Sequence, residues 1–185
     1  KAVPKPQYVD YLPRAVDGSV GELLEKVDER GALREVLVQL ELEAVMGKNI
    51  TEISGGELQR VAIGAALLRE GDIYILDEPS SYLDIRQRLN VAKVIRKLAE
   101  RKRFLVVEHD LIILDYLADY INIVYGGVGA YGIVSQPMTV RQGINVYLEG
   151  YLREENMKFR QEPVRFEVRA PTGKWEAAPL LIFED

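Results

Sequence analysis

Ile73-Tyr74-Ile75-Leu76-Asp77-Glu78-Pro79 is the stretch from which the fold can be read. Four apolar residues followed by two acids and a proline describe a short buried strand with an abrupt polar end. A second apolar run, Phe104–Val107, follows a segment, Ile85–Arg101, that reads as a helix with Leu89, Ala92, Ile95, Leu98 and Ala99 on one face. Asp84 stands where that helix needs an N-cap. Strand, helix, strand at this spacing is a βαβ unit, and the continuously apolar strands predict a parallel sheet covered on both faces. The fold class is therefore α/β.

Upstream of this unit the pattern is helical. Residues 1–13 carry Pro4, Pro6 and Pro13, which favour an extended segment. Over Ser19–Glu43, Leu23, Leu24 and Val27 and then Leu33, Val36, Leu37 and Leu40 recur at helical spacing, with Gly31 marking a break. A loop over Met46–Ile53 leads to Ser54-Gly55-Gly56 and a helix over Glu57–Arg69, closed by Gly71. Downstream, Asp110 caps a helix over Leu111–Ala118, and Asn122–Tyr125 and Ala130–Val134 flank a Gly-Gly-Val-Gly turn, which predicts a hairpin. Residues 138–155 read as two short helical pieces around Gly143. Val164, Phe166 and Val168 alternate as in a strand, Ala170–Gly173 reads as a loop, and Leu180–Phe183 as the start of another strand. The chain reads as a cut from a longer protein.

Composition narrows the chemistry. The 185 residues suffice to bury roughly 70% of the unfolded surface. Hydrophobic residues make up 48% and charged residues 29%, which excludes disorder. A net charge of −5 supplies no global attraction to nucleic acid. The absence of cysteine removes disulfides, thiolate zinc sites, iron–sulfur ligation and cysteine nucleophiles together. Apolar runs such as Val61–Leu68 fall far short of the roughly 20 residues that span a bilayer, and the N-terminal residues hold no apolar signal-peptide core. A cytoplasmic protein is expected.

Three places carry chemistry. Asp77 and Glu78 end a parallel strand at the sheet edge where α/β folds bind ligands. There an Asp can hold Mg2+ through its waters, and a Glu facing another way can polarise an attacking water. The bland alternative is a solvated strand end. Ser54-Gly55-Gly56-Glu57 opens a helix whose free N–H groups and positive dipole end suit a phosphate, although the same residues also make a plain N-cap. His109, the only histidine, follows the strand Phe104–Val107, from which it can reach a γ-phosphate; alone it would read as a surface residue at a turn.

Taken in order, these residues resemble the motifs of the ATP-binding cassette (ABC) ATPases. Ile53-Ser54-Gly55-Gly56-Glu57-Leu58-Gln59-Arg60 resembles the signature motif, with Ile for the usual leading Leu. Ile73–Glu78 resembles Walker B with its catalytic glutamate, Ser80–Asp84 the D-loop, His109 the switch histidine and Gln7 the Q-loop glutamine. The resemblance implies Glu78 and His109 as catalytic residues, Gln7, Ser54, Gly55, Gly56, Glu57, Asp77 and Asp84 as ATP-binding residues, and Asp77 with Gln7 at Mg2+. One motif is missing. The P-loop needs G-x-x-x-x-G-K-[ST]. The two Gly-Lys pairs, Gly47-Lys48 and Gly173-Lys174, are followed by Asn49 and Trp175 and lack a glycine five residues earlier. The P-loop lobe is expected ahead of Lys1, and this chain is expected to be inactive alone.

Longer stretches narrow the family. KPQYVDYLP, ELQRVAIGAALLR, DEPSSYLDIRQRLNVAKVIRKLA and VVEHDLIILDYLADYINIVYG resemble the first cassette of the ABC subfamily E ribosome-recycling ATPases, the RNase L inhibitor family. So do Arg141–Asn145 and Leu148–Leu152. The resemblance implies a twin-cassette enzyme that uses ATP to split ribosomes, with iron–sulfur clusters in the intact protein but not in this chain. It implies a second cassette, the small ribosomal subunit and a release factor or pelota-type factor as partners, and no membrane. It divides the chain into a Q-loop and signature subdomain (1–70), a RecA-like part (71–137), a helix-loop-helix appendage (138–155) with Arg141 and Asn145 as ribosome contacts, and a hinge leading to a second cassette (156–185). The alternatives are the ATPase subunit of an ABC transporter, which shares the catalytic motifs, and a fragment that serves only as an interaction module.

Overall fold

The computed structural model describes residues 1–127, 129–153 and 156–164. Its centre is a three-stranded parallel sheet in the order β1 (Ala2–Lys5), β2 (Ile73–Asp77), β3 (Arg103–Val107). Helix α5 (Ile85–Ala99) connects β2 to β3, so the βαβ unit is as expected. Asp84 caps α5, accepting from the Gln87 N–H at 2.8 Å. Residues 1–5, placed with the helical subdomain by sequence, instead belong to the sheet: β1 pairs with β2 from Ala2–Ile73 to Lys5–Leu76.

Between β1 and β2 lies the helical part: α1 (Leu12–Ala15), α2 (Val20–Val27), α3 (Leu33–Gln39) and α4 (Gly55–Leu68). The expected break falls at Gly31, whose φ of 63° suits glycine. Helix α3 stops at Gln39, short of the helical reading to Glu43; a 3-10 turn follows at Glu43–Val45, and part of the segment read as a loop forms another, Ile50–Glu52. One core joins the two parts. Val36, Leu37 and Leu40 from the α3 region and Val61, Ile63 and Leu67 of α4 pack with Tyr74 and Leu76 of β2 and Val91 and Ile95 of α5. Tyr74 stacks on Phe104 with ring centroids 5.0 Å apart, and its hydroxyl donates to the Arg69 carbonyl at 2.7 Å.

Only one face of the sheet is covered among the described residues. Val3, Tyr74 and Leu76 point into the core, whereas Leu105 and Val107 on the opposite face are 54% and 51% exposed. The expectation of cover on both faces is corrected accordingly: apolar residues on both sides of a strand show what the strand can bury, and the described helices lie against one side. The α5 stripe is also shifted. Val91, Ala92, Val94 and Ile95 are buried, while Leu89 is exposed.

Beyond β3, α6 (Leu111–Leu117) starts at Asp110, which accepts from the Ile112 N–H at 2.9 Å. The hairpin is present as β5 (Val124–Gly127) and β6 (Tyr131–Val134), and β4 (Tyr120–Ile121) pairs with β7 (Met138–Thr139). In place of two helical pieces around Gly143 there is one helix, α7 (Val140–Glu149), followed by the paired β8 (Tyr151–Leu152) and β9 (Met157–Lys158). Gly143 is a packing residue: a Cβ there would lie 2.9 Å from the Ile121 side chain. The helix ends at Gly150, with φ at 72°. The strand expected through Phe166 and Val168, and everything read after them, lies outside the described residues.

Asp28 supplies a test of this framework. It ends α2, and its carboxylate accepts from the N–H groups of Arg30, Ala32 and Leu33 at 3.3, 3.0 and 3.1 Å, standing in for the side-chain cap that Ala32 cannot give α3. Burial opposes ionisation, yet these N–H donors hold the carboxyl below its ordinary value of 3.8. Asp28→Ala should cost about 1–2 kcal/mol at neutral pH by denaturant unfolding. The native group holds its proton less readily than the unfolded one, so the contribution is complete above that ordinary value and fades as pH falls through the lowered one. The gap between wild type and variant should narrow in acid; a gap independent of pH would remove Asp28 as the cap.

Candidate active site

The sheet register determines which side chains meet. Lys5 pairs with Leu76 and Asp77 with Val107, so two residues further along, Gln7 comes level with Glu78 and His109 follows just beyond on the third strand. The Glu78 N–H donates to the Val107 carbonyl at 2.8 Å, extending the ladder by one bond. His109 Nδ1 lies 3.7 Å from Glu78 Oε1, with the imidazole 71% exposed. Ser81 Oγ donates to Glu78 Oε2 at 3.0 Å. The Gln7 side-chain amide contributes most to holding the Glu78 carboxyl below its usual range, followed by Ser81 and the His109 and Lys5 charges; partial burial pushes the other way. Glu78 is thus an ionised carboxylate, which is the form a general base needs.

Its backbone is strained. Glu78 has φ of 44° and Tyr82 has φ of 63°, left-handed values that cost a non-glycine residue about 1–2 kcal/mol. Two groups that sequence reasoning did not single out oppose that cost. Lys5, buried beneath the turn, donates through Nζ to the Asp77 and Glu78 carbonyls at 2.9 and 3.4 Å. Desolvation lowers its pKa to about 8 against the pull of Asp77, Glu108 and Glu78. Gln59, fully buried on α4, donates through Nε2 to the Glu78 and Pro79 carbonyls at 2.9 and 3.2 Å. Glu108 was missed as well: one oxygen accepts from Ser80 N–H at 3.0 Å, and the other from the N–H groups of His109 and Asp110 at 3.0 and 3.3 Å. It ties the turn after β2 to the turn after β3 and so keeps His109 beside Glu78.

A second group gathers at the start of α4. Ser54 and Glu57 form a capping box: Ser54 Oγ accepts from Glu57 N–H at 3.3 Å, and Glu57 Oε2 accepts from Ser54 N–H at 2.7 Å. The Ser54 hydroxyl proton is not used in the cap, and both Ser54 and Gly55 are exposed. A Cβ on Gly56 would meet the Tyr82 carbonyl at 3.0 Å, so this glycine lets α4 lie against the segment that ends in Asp84. A Cβ on Gly55 would meet only the Tyr82 ring at 3.9 Å. The structure therefore unites Gln7, Asp77, Glu78 and His109 at the strand ends, and sets Ser54–Glu57 against Tyr82 beside the capping Asp84. Arg141 and Asn145 are exposed one turn apart on α7, a separate element.

Comparison with known proteins follows this geometry. The ABC transporter family matches residues 7–81, which span Gln7, the start of α4, Asp77 and Glu78. Translation initiation factor RLI1 of Saccharomyces cerevisiae is 48% identical over 93% of this chain and 29% of its own length. A solved RNase-L inhibitor is 59% identical and superposes with a TM-score of 0.85 over 89% of this chain and 32% of its own. Over most of its length the chain matches the RNase-L inhibitor family of ABC ATPases. A model of ribosome-bound archaeal Pelota and ABCE1 is 60% identical with a TM-score of 0.86, over 90% of this chain and 28% of that one. The chain thus spans less than a third of the length of these relatives.

The family implies ATP with Mg2+. Among the described residues no cluster of three or more His, Cys, Asp or Glu side chains could cage a metal by itself. Asp77 and Gln7, at the ends of adjacent strands, are the residues that would hold Mg2+, an ion usually bound by one or two protein oxygens with waters and nucleotide phosphates completing the shell. The iron–sulfur clusters expected of an intact relative find no thiolate here, because the chain has no cysteine. No described helix is long and apolar enough to cross a membrane.

Proposed function

We propose that this chain is the signature, Walker B and switch part of a cassette in a twin-cassette ATPase that uses ATP binding and hydrolysis to split ribosomes into subunits. The observation that carries the reading is the alignment of Gln7, Glu78 and His109 at the ends of three adjacent parallel strands. In this reading Glu78 takes a proton from the water that attacks the γ-phosphorus, His109 donates to the γ-phosphate, and Gln7 orients the water and the Mg2+ shell beside Asp77. Ser54, Gly55 and Gly56 complete the ATP held by a second cassette, and the segment ending in Asp84 lies between the two sites. Contacts to the γ-phosphate that exist only when the cassettes are closed give ATP its preference for the closed state, and hydrolysis removes them. The 185 residues, which carry no P-loop motif, hold ATP weakly on their own.

The ribosomal part is supported by relatives named as a translation initiation factor and as a ribosome-bound archaeal factor beside Pelota. Arg141 and Asn145, exposed on α7, suit contact with the small subunit, and a release factor or pelota-type protein is the expected co-factor in splitting. The full-length protein should co-sediment with small ribosomal subunits in the presence of a non-hydrolysable ATP analogue and less without it. No association under either condition would remove the ribosomal reading and leave the ATPase assignment in place.

A further inference from the structure

The Glu78 carboxylate can act only if its backbone turn stays where the sheet register puts it, and two donors from different elements hold that turn. Gln59 reaches it from α4 and Lys5 from β1, and both donate to the Glu78 carbonyl, at 2.9 and 3.4 Å. Both side chains are fully or almost fully buried, so water does not substitute for either. Gln59 Oε1 is buried with no hydrogen-bond partner among the described residues. A buried polar atom left unpaired is costly, and here it sits on the amide whose other end grips the turn. The amide is fixed at its donor end alone, so a small displacement of α4 alters the grip without breaking a second bond.

We propose that Gln59 and Lys5 are positioning residues that hold Glu78 in its reactive geometry, and that Gln59 makes that geometry depend on the position of α4. The inference rests on the ATPase reading above and adds regulation to the same site. Ser54 stands five residues before Gln59, about 7.5 Å along the helix axis. A rigid helix moves as a unit, so a nucleotide engaged at Ser54–Gly56 by the partner site shifts the Nε2 group that holds the Glu78 and Pro79 carbonyls. One helix thus reads one ATP at its N-terminus and adjusts the base serving the other. Among the described residues no side chain besides Gln59 and Lys5 donates to the Glu78 carbonyl.

The test is a mutant cycle in the full-length protein, read as steady-state ATP hydrolysis with melting temperature as a control. Gln59→Met keeps the length and apolar stem and removes the donor. It should lower kcat about tenfold, leave KM for ATP within about twofold, and change nothing further when combined with Glu78→Gln, because it acts through Glu78. A side chain that merely filled the core would reduce activity by the same factor in both backgrounds, and that result, or an unchanged kcat, would overturn the proposal. Lys5→Met removes the other donor together with a buried charge, so it should fold even where Gln59→Met does not, and it carries the same two expectations. If Glu78→Gln itself leaves hydrolysis untouched, the ATPase reading of this site has failed, a result distinct from failure of the clamp.

Discussion

Glu78→Gln is expected to lower ATP hydrolysis at this site of the intact protein about 100-fold or more while leaving ATP binding in place. A positioned general base contributes ~10²–10⁴ to such a rate, and an amide of the same shape cannot take the proton from water. The substitution keeps an oxygen to accept from Ser81 Oγ, which now bonds Glu78 Oε2 at 3.0 Å, and leaves untouched the backbone held by Gln59, Lys5 and the Val107 carbonyl. The variant should therefore fold, bind ATP and accumulate with its cassettes closed, because the contacts that favour closure are no longer removed by hydrolysis. Single-turnover hydrolysis and nucleotide retention after rapid desalting check this, and turnover of both sites at wild-type rates would exclude Glu78 as the base. His109, 3.7 Å away and exposed, should show a smaller loss on replacement by alanine, since no bond to its proton is broken in the reaction.

Local rules made the framework readable because each acts within a few residues. Asp84 and Asp110 precede helices and do cap them, Gly31 breaks the α2–α3 run with a positive φ, and the apolar runs around Ile73 and Phe104 are adjacent parallel strands. Motif order groups Gln7, Glu78 and His109 by resemblance, but register is what places them side by side. Readings failed where meaning depended on a distant partner. Gly143 looks like a helix break until Ile121 of β4 is packed against it. Residues 1–5 look like a proline-rich lead-in, and become a strand only because β2 supplies the ladder. Lys5 gives no sequence signal, and Gln59 only its place in the stretch that resembles the signature motif; neither shows its target, a shared carbonyl that only the fold brings near. The same holds for Glu108, whose three N–H partners lie on two different turns.

The two roles available to the start of α4 make opposite forecasts for Gly55→Asp. As a plain capped helix, α4 should tolerate or welcome the change. Gly55 is exposed, a Cβ there has only the Tyr82 ring within 4 Å, at 3.9 Å, and an acidic residue in the first turn is favoured by the helix dipole by about 0.3–1 kcal/mol. As a phosphate-facing end, the same position cannot accept a carboxylate. Two unit charges about 4 Å apart near a protein surface repel by about 4 kcal/mol, and a nucleotide there would carry more than one. The expected result is a melting temperature at or slightly above wild type with ATP-dependent closure and hydrolysis reduced about 100-fold or more. Gly56 cannot give so clean an answer, because any side chain there strikes the Tyr82 carbonyl at 3.0 Å and disturbs the segment leading to Asp84 whether or not a nucleotide binds. Gly55→Ala sets the lower bound: it adds no charge and no clash within the chain, so any loss of hydrolysis it causes comes from crowding the ligand. Stable Gly55→Asp protein with full activity would return Ser54–Glu57 to the role of a helix cap.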